Sequence, residues 1–293
     1  MTKPAGGEQP YDYKNIDPSK VNNIGAAKST IDNAAGAGFR VQPESYGESV
    51  AVIDFGPLYL AGVLEGIGTK NMVAELVDDR LGTSHAAAIT QCNAGTMVND
   101  LSTCGAEPRL YWDFQAAGDD QHFADETRSA EYTVGKKAVC DQLGITWTGG
   151  ETQVLKDVIF PGRAVMAGFL LGDINPKSRR ITGEDIQAGD AVTVIESSGA
   201  HANGYSLLRQ LAEMLPQKYD TELPDGTPFG EALLAPTYLY SKLVKTLLDR
   251  QVEVHRIENI TGHGWAKLMR AAQPYTYEID QLPPALPLFE FIQ

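Results

Sequence analysis

The sequence predicts an α+β protein with two lobes, a strand-rich first half and a second half in which strands and helices alternate. Three observations carry this expectation. Period-two apolar runs crowd the first 174 residues, among them VAVIDFGPLYLAGVL at 50–64 and AVMAGFLLGDI at 164–174. Past the polar span NPKSRRITGEDIQAG at 175–189 the pattern changes, and AVTVI is followed by YSLLRQLAEML with helical spacing. The chain has 293 residues, long for one domain and comfortable for two. The expected division is an N-terminal lobe over 1–174 and a C-terminal αβ lobe over 188–293.

Residues 1–48 are polar and rich in Gly, Asn, Ser and Pro, which predicts a mobile leading segment. The run at 50–64 reads as two strands joined at Gly56-Pro57. Helical spacing follows at 71–80 and 84–103, then a strand at RLYWDFQ, a helix over 122–142 and a short strand at GITWT. The second half reads AVTVI, YSLLRQLAEML, PTYLYSKLVKTLLDR, VEVHRI, GWAKLMRAA and YTYEI, strands alternating with helices. Leu207, Leu208, Leu211 and Leu215 share one helical face, which predicts a helix lying on a sheet.

Hydrophobic residues make up 43% of the chain and charged residues 21%, enough for a substantial core. The net charge of −14 argues against a nucleic-acid or membrane-surface partner, since phosphate backbones are bound with Lys and Arg. Nucleotides stay open, because magnesium bridges carboxylates to phosphates. Cys92, Cys104 and Cys140 are odd in number and lack C-x-x-C spacing, which points to free buried thiols in a reducing cytoplasm. The opening MTKPAGGEQPYDYKN has no apolar core, so no secretion signal is expected, and no run approaches the roughly 20 apolar residues of a membrane span. Asn259-Ile260-Thr261 is formally a glycosylation sequon, without meaning in a cytosolic protein.

Four polar clusters carry candidate chemistry. ESSGAHANGYSLLRQL at 196–211 has the order strand, Gly-rich loop, helix. The first-turn N–H groups of such a helix lack intrahelical partners, so the loop suits an anion. Gly199 and Gly204 permit close backbone approach, and Ser197, Ser198, His201 and Asn203 offer donors. A plain connection capped by Asn203 fits the same residues. LEGIGTKNMVAEL at 64–76 sets Glu65 at a strand end, where it suits a magnesium ion, and Lys70 within reach of a phosphate. No Ser or Thr follows Lys70, so this is not a Walker loop. MVNDLSTCGAEPRLYWDF at 97–114 places Asn99 and Asp100 in a helix with few charges, where a carboxylate is costly unless a metal or hydrogen bonds satisfy it. TWTGGETQV at 146–154 displays Glu151 behind Gly149 and Gly150 at a strand end, as a metal ligand, a base or part of a simple turn.

Taken together and in order, these stretches resemble the aminoimidazole ribonucleotide synthetase (phosphoribosylformylglycinamidine cyclo-ligase) family. The resemblance rests on YKNID at 13–17, LEGIGTK, VNDLSTCGAEP, GGET, SSGAHANGYSLLRQL, LLAPTYLY, ITGHG and LPLFEFIQ, and runs from Tyr13 to Gln293. It implies an N-terminal lobe whose sheet forms a barrel-like core in a homodimer, a C-terminal αβ lobe, ATP and magnesium. In the family, ATP phosphorylates the formyl amide oxygen of formylglycinamidine ribonucleotide, a nitrogen of the same molecule attacks that carbon, and aminoimidazole ribonucleotide forms with ADP and phosphate. By position, the resemblance assigns His201, Lys70 and Glu151 to catalysis. It assigns Lys70, Asn99, Gly149, Gly150, Ser198, Asn203 and Gly204 to the nucleotide, and Glu65, Asp100 and Glu151 to magnesium.

Four departures accompany the match. Glu65 stands where the family usually has Asp, and Cys92 or Asn93 where it has an acid. The N-terminal Gly- and Phe-rich loop is only echoed by AGAGFRVQPESYGES at 35–49. The resemblance also stops at LPLFEFIQ, where family members continue, which implies an incomplete second lobe. Selenophosphate synthetase wants a cysteine near a Gly-rich N-terminus, and the hydrogenase-maturation relative wants a C-terminal cysteine; neither is present. Thiamine-monophosphate kinase, or a non-catalytic nucleotide-binding homologue or fragment, stand as the alternatives.

Overall fold

The structure, a computed structural model, describes residues 18–271, 273 and 275–293. The YKNID stretch at 13–17 lies outside them. Helix α1 (Pro18–Lys28) and the two-residue strand β1 (Arg40–Val41) give the leading segment more order than its composition predicts. Strands β2 (Ala51–Phe55) and β3 (Leu58–Gly66) form the expected hairpin, with Phe55 opposite Leu58 across the Gly56-Pro57 turn. Helices α2 (Lys70–Leu81) and α3 (Ala86–Thr103) lead to strand β4 (Glu107–Ala117). Helices α4 (Gln121–Ala124) and α5 (Glu126–Leu143) then cross over to strand β5 (Thr146–Val154), parallel to β4. Strand β6 (Ala164–Ile174) inserts between β3 and β4, antiparallel to both.

The six strands follow the order β1-β2-β3-β6-β4-β5 in one open sheet. Its first and last strands do not pair, so the sheet is open within one chain. Alternation sets its two faces. Along β6, Ala164, Met166, Gly168, Leu170, Gly172 and Ile174 are buried and the residues between them less so. The buried face packs on α3 and α5, where Val63, Met97, Leu101, Tyr111, Leu170 and Ile174 share one core cluster. The other face is also apolar: Leu64, Phe169 and Trp112 sit side by side in register, and Leu64 is 73% exposed.

The second half departs from the αβ expectation. Helices α6 (Tyr205–Met214), α7 (Phe229–Leu234), α8 (Ser241–Asp249) and α9 (Pro287–Ile292) form, but residues 191–195, 252–257 and 275–279 join no ladder. Alternation of apolar residues supplies an amphipathic segment but not a partner strand, and Val192, Ile195 and Val252 remain exposed. PTYLY is likewise extended rather than the start of a helix, and α8 begins only at Ser241. Helix α6 packs on other helices instead of a sheet: Tyr205, Leu208 and Ala212 join Val73, Val77, Phe229 and Leu288 in a core built from both halves, while Leu207 faces water.

Strand β5 runs on through Gly149, Gly150 and Glu151, so the diglycine lies within a strand rather than at its end. Close approach explains Gly150. A Cβ there would stand 2.1 Å from the Asp113 carbonyl oxygen and 2.6 Å from Asp113 Oδ1. Asp113 is buried beneath the sheet, bonded to Lys136 Nζ at 2.5 Å and to Trp147 Nε1 at 2.7 Å. Breaking a buried ion pair leaves an uncompensated charge. Gly150→Ala is therefore expected to destabilise the chain by about 3–5 kcal/mol, read as a lower urea midpoint at unchanged slope.

Candidate active site

A cavity of about 150 Å³ opens where the end of β3 meets the middle of α3, the loop before α6, and the extended segments around Thr237 and Asn259. Its wall carries two carboxylates, Glu65 and Asp100, the amides of Asn99, Asn203 and Asn259, and the imidazole of His201. Helical spacing puts Gly95, Thr96, Asn99 and Asp100 on one side of α3, on adjacent turns. Register places Glu65 in a row with Gly168 and Asp113, on the sheet face that α3 covers. Asp100 is only 6% exposed, and Asn259 Nδ2 donates to its Oδ1 at 2.7 Å. The buried carboxylate in a weakly charged helix is thus satisfied by a partner 159 residues away.

The extended segment 235–240 runs along α3 and pairs with no strand, so its backbone polar groups bond to side chains. Lys70 Nζ donates to the Ala235 carbonyl at 2.8 Å, and Ser198 Oγ to the Pro236 carbonyl at 2.6 Å. Thr237 N–H donates to Cys92 Sγ at 3.3 Å, and Gln91 Nε2 donates to the Thr237 carbonyl at 2.8 Å. Asn99 spans two residues of the segment: its Nδ2 donates to the Tyr238 carbonyl at 2.8 Å and its Oδ1 accepts from Tyr240 N–H at 3.0 Å.

Three residues that the sequence offers to a nucleotide therefore hold the protein's own backbone. Lys70 has no exposed surface; its ammonium ends α7, whose last unpaired carbonyls attract a cation, and its pKa is lowered by burial. It lies behind the cavity, not on its wall. Asn99 reaches the cavity while fastening the segment, and Ser198 bonds the segment from the loop.

The loop itself takes the shape that its glycines permit. Gly204 at φ 76° is the N-cap of α6, with no side-chain cap, so Asn203 does not close the helix as a plain connection would have it. The first-turn N–H groups of α6 lie beside the cavity residues Ala202 and Asn203. His201 is held by a hydrogen bond from Ser198 N–H to its Nε2 at 3.3 Å, which makes Nδ1 the protonated nitrogen. Burial, and then the Lys70 charge, push its pKa down to about 4, so the ring is neutral at pH 7.

Glu151, Gly149 and Gly150 are not brought to the cavity. Glu151 lies opposite Phe114 and, through β4, Ala167, one residue out of register with the Glu65 row, so it faces the sheet side without helices. Three strand spacings also separate β5 from β3, roughly 14 Å. Among the described residues no three of His, Cys, Asp and Glu gather to hold a metal ion. The expected trio of Glu65, Asp100 and Glu151 is therefore a pair in one chain.

The sequence reading missed Thr96, Thr237, Asn259 and Thr261 as cavity residues. Thr96 was legible from its three- and four-residue spacing to Asn99 and Asp100. Asn259 and Thr261 form a sequon whose threonine also belongs to ITGHG, and only the chain's path brings Asn259 to Asp100. Because Asn99 bonds the backbone on both sides of Leu239, Asn99→Ala is expected to cost about 2–4 kcal/mol of stability in the ligand-free protein. Urea unfolding without ligand measures this; a residue serving only a ligand would leave that midpoint unmoved.

Two family profiles match the chain in succession: AIR synthase related protein, N-terminal domain, over residues 47–172, and AIR synthase related protein, C-terminal domain, over residues 187–283. A phosphoribosylformylglycinamidine cyclo-ligase of Thermococcus gammatolerans is 37% identical over 92% of this chain and 75% of its own length. Another of that name, from Methanocaldococcus jannaschii, is 34% identical over 86% of this chain and 69% of its own. Among solved structures, AaThiL complexed with AMPPCP and TMP superposes at TM-score 0.50 with 15% identity, covering 75% of this chain and 61% of that one. That likeness reaches the fold and not the substrate. With both profiles matched in order and such relatives aligned over most of its length, the chain belongs to the AIR synthase related protein family.

Proposed function

We propose that this chain is an ATP-dependent cyclo-ligase of purine biosynthesis, closing formylglycinamidine ribonucleotide to aminoimidazole ribonucleotide with release of ADP and phosphate. The observation that carries it is identity of 37% over 92% of the chain to a protein of that name. The cavity supports it chemically. Glu65 and Asp100 offer hard oxygen ligands, and magnesium characteristically takes one or two carboxylates and fills its other positions with water and phosphate. The pair therefore fits that ion. Among the described residues no helix is long and apolar enough to cross a membrane.

Bound magnesium ATP would supply the phosphoryl group that activates the formyl amide oxygen. The uncapped first turn of α6, opened by Gly204, together with Asn203 would hold phosphate oxygens. His201, neutral and donating through Nδ1, would orient the reacting amide without adding charge. Lys70 would act through its field from behind the cavity, without contact, and Asn99 and Ser198 would keep the wall in place. The division into a nucleotide lobe over 1–174 and a second lobe over 188–293 belongs to the same reading.

The helix-free sheet face supports the homodimer. Leu64, Val165 and Phe55 are exposed on a sheet already packed on its other side, and a second copy would cover them and complete a barrel-like core. Two measurements follow. Purified protein with magnesium ATP is expected to release ADP only when formylglycinamidine ribonucleotide is present, matched by aminoimidazole product, with Asp100→Asn lowering kcat/KM about a hundredfold. ADP release indifferent to the amidine would overturn the assignment. In sedimentation, the wild type is expected as a dimer and Leu64→Glu as a folded monomer; a wild-type monomer would remove the dimer.

A further inference from the structure

We infer that Lys267 is a positioning residue of this cavity: its buried ammonium locks the turn at 259–261, so that the Asn259 side chain holds Asp100 in one orientation toward a bound cation. Lys267 lies in a 3₁₀ turn (Gly264–Arg270) and is 5% exposed, although lysine is almost never buried without partners. Its Nζ donates to the Asn259 carbonyl at 2.9 Å and to Thr261 Oγ1. Both acceptors belong to residues that line the cavity, and Lys267 itself does not. The turn is closed by Gly264 N–H on the Thr261 carbonyl at 3.0 Å, with His263 at φ 73°. From the residue so anchored, Asn259 Nδ2 reaches Asp100 Oδ1 at 2.7 Å.

One ammonium thus fixes two wall residues, and one of those orients the carboxylate. Without it the Asn259 carbonyl and the Thr261 hydroxyl lose their shared donor, and the turn no longer aims the Asn259 amide at Asp100. Asp100 then samples several orientations, which weakens a cation site whose ligands are few. This role rests on the magnesium nucleotide reading above.

The test uses the full chain and three variants, Lys267→Met, Lys267→Arg and Asn259→Ala. Two readouts lie outside turnover: manganese binding in the presence of ADP, followed by electron paramagnetic resonance, and hydrogen exchange of the Asn259 side-chain amide by NMR. Lys267→Met is expected to weaken manganese about tenfold or more and to unprotect that amide, with Lys267→Arg restoring part of both. The double variant Lys267→Met/Asn259→Ala is expected to bind manganese no worse than Asn259→Ala alone, because the two act in series. Wild-type manganese affinity in folded Lys267→Met, or effects that multiply in the double variant, would overturn the positioning role. A wild type that binds no manganese with ADP would instead overturn the magnesium nucleotide reading.

Discussion

An extended segment that leaves water without a neighbouring strand has to find hydrogen-bond partners among side chains, and the stretch from Ala235 to Tyr240 imposes that condition on the rest of the molecule. Lys70, Gln91, Cys92, Asn99 and Ser198 meet it from α2, α3 and the loop before α6. Each bond is modest, and at Thr237, whose N–H is buried against Cys92 Sγ, an unmade one would strand a polar group. The consequence is spatial. Helix α3 is gripped between the sheet on one side and this segment on the other, and the cavity opens where its Gly95–Asp100 turn faces both.

The sheet obeys a second constraint, that of register. Side chains alternate faces, so a difference of one residue decides whether a carboxylate meets the cavity or the opposite surface. Glu65 falls in the row of Gly168 and Asp113 on the helix side, and Glu151 falls one step out of it. Beneath the same face, the Asp113–Lys136 pair takes up space that Gly150 leaves by having no side chain. Gly150 thus has a packing reason here independent of any ligand. On the other face Leu64 lies beside Phe169 and is 73% exposed.

Electrostatically, the cavity is acidic on one wall and neutral on the other. Glu65 and Asp100 carry charge, while His201 is kept uncharged by burial and by Lys70 behind it. Two buried lysines stand behind the cavity residues, Lys70 on a helix-end carbonyl and Lys267 on a turn.

The sequence by itself determined the local elements whose signals are short-range. The hairpin at Gly56-Pro57, the helix bearing Asn99 and Asp100, and the Gly-rich turn into α6 were all readable. So was the family, because many weak motifs in one order constrain each other. Long-range pairing was not readable, for period-two runs at 191–195, 252–257 and 275–279 look like strands whether or not a partner exists. The direction of a long polar side chain was hidden for the same reason: Lys70, Asn99 and Ser198 suit a phosphate in one dimension, and only in three does a bare backbone come close enough to claim them. Only the tertiary structure decided that Asn259 would meet Asp100 across 159 residues, because that contact is set by the path of the chain between them and by no pattern within either stretch.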